Sequence, residues 1–325
     1  MHLRSFAAPL VAAFLASGCV HHVADRSPAL LDLPRSPSAG LAPLPSVGCS
    51  ANAERGHAGV RTITSGGRTR RFHLRLPTDG AVRTPVPLVL NLHGLYQAPP
   101  LQELLSNLTA KALARGWVVA YPAGIGRSWN AGSCCGRARA EGVDDVRFLR
   151  KLVAQLGREL CIDRRRVYAT GMSNGGLMSY RLACEASDLF AAVAPVAAVE
   201  TVAACVPRRA VPILAFNGTS DYIVHYSKGF FSGWSSLPSV SETQARWEQR
   251  KACQAPRKPV WSSKSVKCEA GASCKSDQVL CTIHGGGHTW PGGMSVPYLG
   301  PTTDEIDGSA TILEFFAGQA MGSRR

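Results

Sequence analysis

One serine of this chain lies among three glycines, in the stretch Thr170-Gly171-Met172-Ser173-Asn174-Gly175-Gly176. A β-branched and aromatic run, 166–169, precedes this stretch, and a helical pattern without Pro or Gly, 177–184, follows it. The serine is therefore predicted to lie on a tight turn between a strand and a helix, where Gly-x-Ser-x-Gly holds the hydroxyl at the edge of a sheet. A hydroxyl in that position can act as a nucleophile, whereas a serine that merely caps the helix has no such role.

A nucleophilic serine needs a base, and the base needs an acidic partner that fixes its tautomer. Asp221 ends the stretch Phe216-Asn217-Gly218-Thr219-Ser220-Asp221, directly after an apolar strand pattern. His288 lies in a glycine-rich stretch, 284–293, after another strand pattern. The chain order Ser173, Asp221, His288 is the order found in α/β-hydrolases, and we predict these three residues as nucleophile, acid and base.

Other histidines and aspartates of the chain are weaker candidates for the base and for the acid. His93, His225 and His284 are the alternative bases. The alternative acids are expected to begin helices instead, as capping residues or in the first turn; they are Asp144, Asp145, Asp304 and Asp307.

The negative oxygen of a tetrahedral intermediate needs hydrogen-bond donors, and backbone N–H groups supply them in this kind of site. The amide that follows the nucleophile, that of Asn174, is predicted as one donor. The turn after the strand that ends in His93-Gly94 is expected to supply the second donor, from Leu95.

These residues require a sheet whose strands end at a common edge. Strand patterns alternate with helical patterns along the chain, which predicts a mostly parallel sheet with helices on both faces. The predicted strands are 71–77, 87–93, 117–122, 166–169, 190–196, 211–216 and 278–283. The predicted helices are 101–115, 144–160, 177–184, 242–253 and 306–316.

The 325-residue chain is long enough for one large core, which we place in a catalytic domain at 49–320, with a short tail at 321–325. Residues 1–19 have the charge and apolar stretch of a secretory signal peptide, too short to span a bilayer. The small residues before Cys19 resemble the lipobox of bacterial lipoproteins, so that Cys19 is a candidate for lipidation and membrane attachment. A Pro/Ser/Ala-rich stretch, 20–48, is predicted to be a tether.

The chain contains eleven cysteines, and ten remain when Cys19 is set aside. An even number in an exported chain predicts disulfides rather than a metal site, and no Cys-x-x-Cys pair is present. The pair Cys268 and Cys274 could close a small loop, and the adjacent Cys134 and Cys135 are expected to have separate partners.

The formal net charge of +14 raises the hypothesis that the protein binds nucleic acid. The basic residues are spread along the sequence without a recognisable groove-reading module, so nucleic-acid binding is not expected. A solvated basic surface attracted to acidic polysaccharide or lipid is the favoured interpretation.

With these motifs assembled, the chain resembles the polyhydroxybutyrate depolymerase-like esterases, the α/β-hydrolase group that includes feruloyl and acetylxylan esterases. The resemblance spans most of 49–316. Its motifs are Leu92-His93-Gly94 with Gln97, the stretches 129–136 and 143–149, the serine turn at 171–176, Gly218-Thr219-Ser220-Asp221, and Gly285 to Gly293 around His288. It implies that Ser173, Asp221 and His288 are the catalytic residues and that no metal or organic cofactor is used.

The resemblance predicts an exported serine esterase that acts through an acyl-enzyme on a polyester oligomer or an acylated polysaccharide. Trp129 and Trp290 are candidates for a substrate pocket. Leu95 stands where members of the group often have Cys, so their disulfide pairings are not transferred. A glycan-binding relative without activity and a peptidase remain alternatives.

Overall fold

The computed structural model of the chain describes residues 31–33, 39–50, 56–77, 82–227 and 237–322. The predicted signal peptide with Cys19 lies outside these residues. The strands are β1 (Gly59–Ser65), β2 (Arg68–Arg75), β3 (Val86–Leu92), β4 (Val118–Pro122), β5 (Ile162–Met172), β6 (Ala192–Val196), β7 (Ile213–Gly218), β8 (Gln254–Ser262), β9 (Val266–Ala272) and β10 (Gln278–Ile283). The α-helices are α1 (Pro99–Ser106), α2 (Leu108–Ala114), α3 (Gly136–Ala140), α4 (Asp145–Glu159), α5 (Asn174–Glu185), α6 (Val240–Arg250) and α7 (Gly308–Ala317).

The strands form one sheet in the order β1-β2-β4-β3-β5-β6-β7-β10-β9-β8. The six central strands are parallel to one another; they are β4, β3, β5, β6, β7 and β10. The strands outside them pair antiparallel, as β1–β2 and β2–β4 at one edge and as β10–β9 and β9–β8 at the other. This confirms the predicted α/β fold with a mostly parallel central sheet. The edge strands β1, β8 and β9 were not predicted, because their exposed residues lack a continuous apolar pattern.

The sheet separates two apolar cores, as a parallel sheet covered on both faces should. One core contains the apolar faces of α4, α5 and α6, and the other contains those of α2 and α7. Almost all residues of β3, β6, β7 and β10 are buried, which explains why these strands read as continuous apolar runs.

The helix predicted at 101–115 is two helices in the structure. Asn107 has φ 48° and ψ 35°, the left-handed conformation that ends α1, and α2 begins at the next residue. Asparagine adopts this conformation at lower cost than most residues, so the break needs neither Gly nor Pro.

The last ten residues of the predicted tether are bound to the domain. Pro45 forms a bridge with Asp163, and the Leu44 amide donates to Asp163 Oδ1 at 2.9 Å. The Ser46 hydroxyl donates to the Leu160 carbonyl and accepts from the Ile162 amide. Residues 39–48 therefore pack against the start of β5. The sequence predicts that these residues belong to a tether that is separate from the domain, and the structure differs from that expectation.

Five disulfides join the ten cysteines, which agrees with the predicted disulfide framework. The pairs are Cys49–Cys161, Cys134–Cys135, Cys184–Cys205, Cys253–Cys274 and Cys268–Cys281. The suggested Cys268–Cys274 pair was wrong, because Cys268 on β9 lies opposite Cys281 on β10 in the antiparallel ladder. Separate partners for Cys134 and Cys135 were also wrong, since these neighbours bond to each other. Within the described ranges, no helix has the length and apolar character needed to cross a bilayer.

Candidate active site

Ser173 lies between the last residue of β5 and the first residue of α5. Its backbone has φ 55° and ψ −124°, a strained conformation for a residue other than glycine. Its amide donates to the Val196 carbonyl at 2.9 Å, so the turn is tied to the neighbouring strand β6. The sequence-predicted strand, turn and helix are therefore present, with the serine at the carboxyl edge of the sheet.

The glycines around Ser173 are needed for close approach of backbones. A Cβ added at Gly175 would lie 2.1 Å from the Leu92 carbonyl oxygen, and one at Gly171 would lie 2.5 Å from the same atom. A Cβ at Gly176 would lie 2.6 Å from the Ala198 Cβ. Strand β3, the turn and α5 can therefore meet only because these positions have no side chain.

Asp221 and His288 lie in adjacent loops because β7 and β10 are parallel neighbours. The two loops pack closely, and a Cβ added at Gly218 would lie 2.2 Å from the Gly286 carbonyl oxygen. His288 Nδ1 and Asp221 Oδ2 are 2.7 Å apart, and both side chains are buried. The structure thus brings together the predicted acid and base.

The hydrogen bonds of Asp221 fix the state of the histidine. Asp221 Oδ1 accepts from the amides of Ile223 and Val224, each at 2.8 Å, which holds the carboxylate in place. Because a carboxylate only accepts, His288 Nδ1 carries the hydrogen in this bond, and Nε2 of the neutral ring is the basic nitrogen. This is the tautomer that a base acting on a serine hydroxyl requires.

The predicted oxyanion donors lie at two positions without a local acceptor. Asn174 is the first residue of α5, where an amide has no partner within its helix. Among the described residues, the Leu95 amide has no backbone acceptor, whereas its neighbours on both sides donate to Gln97 Oε1 and to the Arg127 carbonyl. Both amides are therefore available for a negatively charged oxygen.

A chain of hydrogen bonds joins these two amide positions, and sequence reasoning missed it. The Asn174 carboxamide accepts from the Trp129 amide at 2.6 Å and donates to the Trp129 carbonyl at 3.0 Å. Trp129 Nε1 in turn donates to the His93 carbonyl at 3.0 Å, two residues before Leu95. The stretch 129–136, which carried part of the resemblance, thus connects the serine turn to the turn after β3.

Trp129 and Trp290 are core residues in the structure rather than the lining of an open pocket. Trp129 is 0% exposed and Trp290 is 1% exposed. Trp290 Nε1 donates to the Ser309 hydroxyl at 3.0 Å, so both indole N–H groups have protein acceptors. Their prediction as substrate-pocket residues does not fit this burial, because a side chain enclosed on all sides cannot contact a substrate.

The alternative base His93 is held in a structural role. Its Nδ1 lies 2.8 Å from the Gly94 carbonyl, and its Nε2 accepts from the Gly124 amide at 2.9 Å. Burial lowers the pKa of His93 to about 4, so the ring is neutral. With both nitrogens bonded, His93 has no free position from which to accept the serine proton. Asp307, a rejected acid, caps α7 as predicted.

Comparisons with known proteins found a family profile and several relatives that are similar to this chain. The sequence profile of the prolyl oligopeptidase family matches residues 106–205, which include Ser173. The chain is 32% identical over 234 residues to feruloyl esterase B of Piromyces equi, a match that spans 67% of this chain and 42% of that relative. The acetyl xylan esterase of Aspergillus awamori has the same fold, with a TM-score of 0.52 and 15% identity over 71% of this chain and 94% of its own.

A further relative matches along most of its length. The chain is 32% identical over 290 residues to NocK of Nocardia uniformis subsp. tsuyamanensis, which is provisionally named an esterase, and the match spans 80% of this chain and 82% of NocK. Similarity of this extent, on a sheet that carries a serine turn and an Asp–His pair at one edge, shows that the chain belongs to the α/β-hydrolase esterases, in the group that includes the feruloyl and acetylxylan esterases.

Proposed function

We propose that this protein is a serine esterase that cleaves carboxylic esters through an acyl-enzyme, with Ser173 as nucleophile, His288 as base and Asp221 as its acidic partner. The observation that carries the proposal is the 2.7 Å bond between His288 Nδ1 and Asp221 Oδ2, at the sheet edge where strained Ser173 directly precedes α5. The five disulfides support a protein that works outside the cytoplasm.

The reaction follows from the donors and acceptors of these groups. Ser173 Oγ attacks the ester carbonyl carbon while its proton moves to His288 Nε2, and Asp221 stabilises the resulting imidazolium. The amides of Asn174 and Leu95 bind the negative oxygen of the tetrahedral intermediate. Its collapse transfers the proton from His288 to the leaving alcohol and leaves an acyl-serine. Water then attacks the acyl-serine and gives a proton to His288, and collapse of the second tetrahedral intermediate returns that proton to Ser173 Oγ and releases the acid.

Replacement of the nucleophile tests the proposal. Ser173→Ala should lower kcat for a p-nitrophenyl acyl ester by roughly a millionfold, since the residues of such a site act as a unit. Ser179→Ala is the matched control, because Ser179 is a buried serine of α5, the helix that follows Ser173, and its hydroxyl donates to the Gly175 carbonyl. It should keep activity within a few-fold. A folded Ser173→Ala protein with more than about a tenth of the activity would disprove the nucleophile assignment.

The substrate class is proposed from the relatives. Feruloyl esterase B is named for a feruloyl ester, which favours an acylated polysaccharide as the substrate of this chain. Hydrolysis of methyl ferulate, acetylated xylan and polyhydroxybutyrate, measured side by side, would rank the alternatives. A polyester substrate stays a prediction from the resemblance, and so does lipidation of Cys19.

A peptidase activity is the second candidate, because the matching profile at 106–205 is that of the prolyl oligopeptidase family. The same groups can cleave amides, so the comparison must use an ester and an anilide with the same acyl group. We expect a much larger kcat/KM for the ester.

A fluorophosphonate probe tests the remaining alternative of a protein that only binds glycan: the wild type should be labelled, and Ser173→Ala should not.

A further inference from the structure

A groove of about 1030 Å³ lies at the opposite end of the sheet from Ser173. It is formed where parallel strands begin: the first half of β5, from Ile162 to Val167, contributes to its lining, and residues 208–209 lie shortly before β7. Val167, the groove residue of β5 nearest to Ser173, lies six residues before it, which corresponds to about 20 Å along an extended strand. The groove is therefore remote from the proposed ester-cleaving site.

The charge of this groove is strongly positive. Its lining includes one acidic residue, Asp188, and six arginines, which are Arg150, Arg158, Arg164, Arg165, Arg208 and Arg209. Arg150 forms an ion pair with Asp188, and Arg209 donates to buried carbonyl groups.

Three arginines of the groove are available to a ligand. Arg158, Arg164 and Arg208 are exposed, and none of them forms an ion pair with another described residue. Guanidinium groups bind phosphate through paired N–H donors and shed water more readily than ammonium groups. The groove is therefore suited to a ligand with repeated negative charges.

Apolar groups accompany these charges. Val153 and Leu189 line the groove, and Val47 at its border is 74% exposed. Val206, two residues before Arg208, is 85% exposed. Exposed apolar side chains beside arginines fit the interface of a bilayer, where both headgroups and acyl chains are in reach.

A segment that precedes β1 in the chain, residues 39–47, lies along this same edge. Leu44, Ser46 and Val47 line the groove, and Arg166 donates to the carbonyls of Ala39 and Leu41. Residues 44–47 therefore lie on the side with the groove, whereas the earlier residues 31–33 lie beside β8, where the Asp32 amide donates to the Val260 carbonyl at 2.9 Å. The carboxyl edge with Ser173, Asp221 and His288 faces the other way.

We propose that this arginine groove binds the headgroups of anionic phospholipids at a membrane surface, so that the ester-cleaving edge points away from the bilayer. The inference does not depend on the proposed esterase activity or on lipidation of Cys19. An acidic polysaccharide would also meet the arginines, but it would gain less from the exposed Val47 and Val206 and would lie far from Ser173.

Vesicle binding tests the proposal with the exported full-length protein carrying Cys19→Ser, which removes the candidate lipidation site. The probe is a phosphatidylcholine vesicle with roughly 30% phosphatidylglycerol, compared with pure phosphatidylcholine, in a sedimentation assay at low salt. We expect binding to the anionic vesicle only. The combined change Arg158→Gln, Arg164→Gln and Arg208→Gln should weaken it about a hundredfold, since each surface arginine contributes roughly a fivefold effect.

The matched control is Arg71→Gln, Arg139→Gln and Arg246→Gln, three exposed arginines outside the groove with the same loss of charge. It should weaken binding by less than about tenfold. Equal weakening by both triple variants would contradict a specific groove and leave only net charge. Absence of binding to anionic vesicles, with or without binding to polygalacturonate, would overturn the proposal. Urea unfolding of each protein reports folding separately, without reference to any activity.

Discussion

Hydrogen bonds place the hydrogen on Nδ1 in two histidines of this protein, but the partners of the two rings differ. The carboxylate of Asp221 keeps the hydrogen on His288 Nδ1 and would stabilise the positive charge that this ring acquires when it accepts a proton. His93 has only backbone partners, the Gly94 carbonyl and the Gly124 amide, and the latter donates to its second nitrogen. A protonated His93 would lose that bond inside a buried site. At the residue scale, therefore, the hydrogen-bond partner of each ring determines whether it can be protonated: His288 has a carboxylate beside it, and His93 does not.

The state of His93 predicts how stability depends on pH. Its pKa is about 4 in the folded protein and has the ordinary value of 6.5 in the unfolded chain, so protonation favours unfolding. The contribution is fully present above pH 6.5 and is lost as the pH falls from 6.5 toward 4, by an amount on the order of 3 kcal/mol.

Urea unfolding of the wild type and of His93→Gln, at pH 7 and at about pH 4.5, checks this prediction. Between the two pH values, the free energy of unfolding of the wild type should fall by about 2 to 3 kcal/mol more than that of the variant, which cannot titrate at position 93. Equal falls would show that the pKa of His93 is the same in the folded and unfolded protein.

At the scale of elements, the serine turn depends on contact between β3 and α5. Gly175 belongs to α5, and an added Cβ would lie 2.1 Å from the Leu92 carbonyl oxygen. Gly157 belongs to α4, where an added Cβ would lie 3.5 Å from the Ser46 Cβ, an ordinary contact. The two glycines share a helical setting and differ in the space around them.

This difference predicts opposite effects of the same substitution. Gly157→Ala should raise the free energy of unfolding by about 0.5 to 1 kcal/mol, because alanine favours the helix. Gly175→Ala should lower it and reduce kcat for a p-nitrophenyl ester, because α5 must move away from β3 and carries Asn174 with it. Chemical denaturation and steady-state kinetics measure both effects. A Gly175→Ala protein with normal kcat would show that the turn does not need this contact.

At the scale of the molecule, the disulfides differ mainly in how much chain they enclose. Cys49–Cys161 spans 112 residues and joins the N-terminal segment to the start of β5. Cys253–Cys274 spans 21 residues near the edge of the sheet formed by β8 and β9. A longer enclosed loop restricts the unfolded chain more strongly.

Replacing both cysteines of a pair by serine should therefore lower the free energy of unfolding by different amounts for the two disulfides. Loss of Cys49–Cys161 is expected to lower the free energy of unfolding by about 5 kcal/mol, and loss of Cys253–Cys274 by about 3 kcal/mol. Guanidinium unfolding of the two double variants measures the difference. The reverse ranking would mean that native contacts, rather than restriction of the unfolded chain, determine the effect of these bonds.

The sequence by itself determined the parallel sheet and the serine turn. Buried parallel strands are continuous apolar runs, and helices show a 3.6-residue period, so both signals are local. Residues that directly follow parallel strands meet at one edge, which is why the sequence pattern alone is enough to group Ser173, Asp221 and His288. Their catalytic roles stay a prediction until the substitutions are made.

Only the tertiary structure decided which distant groups meet. The partners of Cys134 and Cys268, the burial of Trp129 and Trp290, and the docking of residues 39–48 depend on contacts between segments far apart in the chain. The arginines of the groove are scattered through the sequence and become neighbours because α4, the first half of β5 and the segment before β7 lie at one side of the sheet. The local sequence pattern determines whether a segment forms a helix or a strand. Which side chains are buried and which cysteines pair depends on how all the helices and strands pack together.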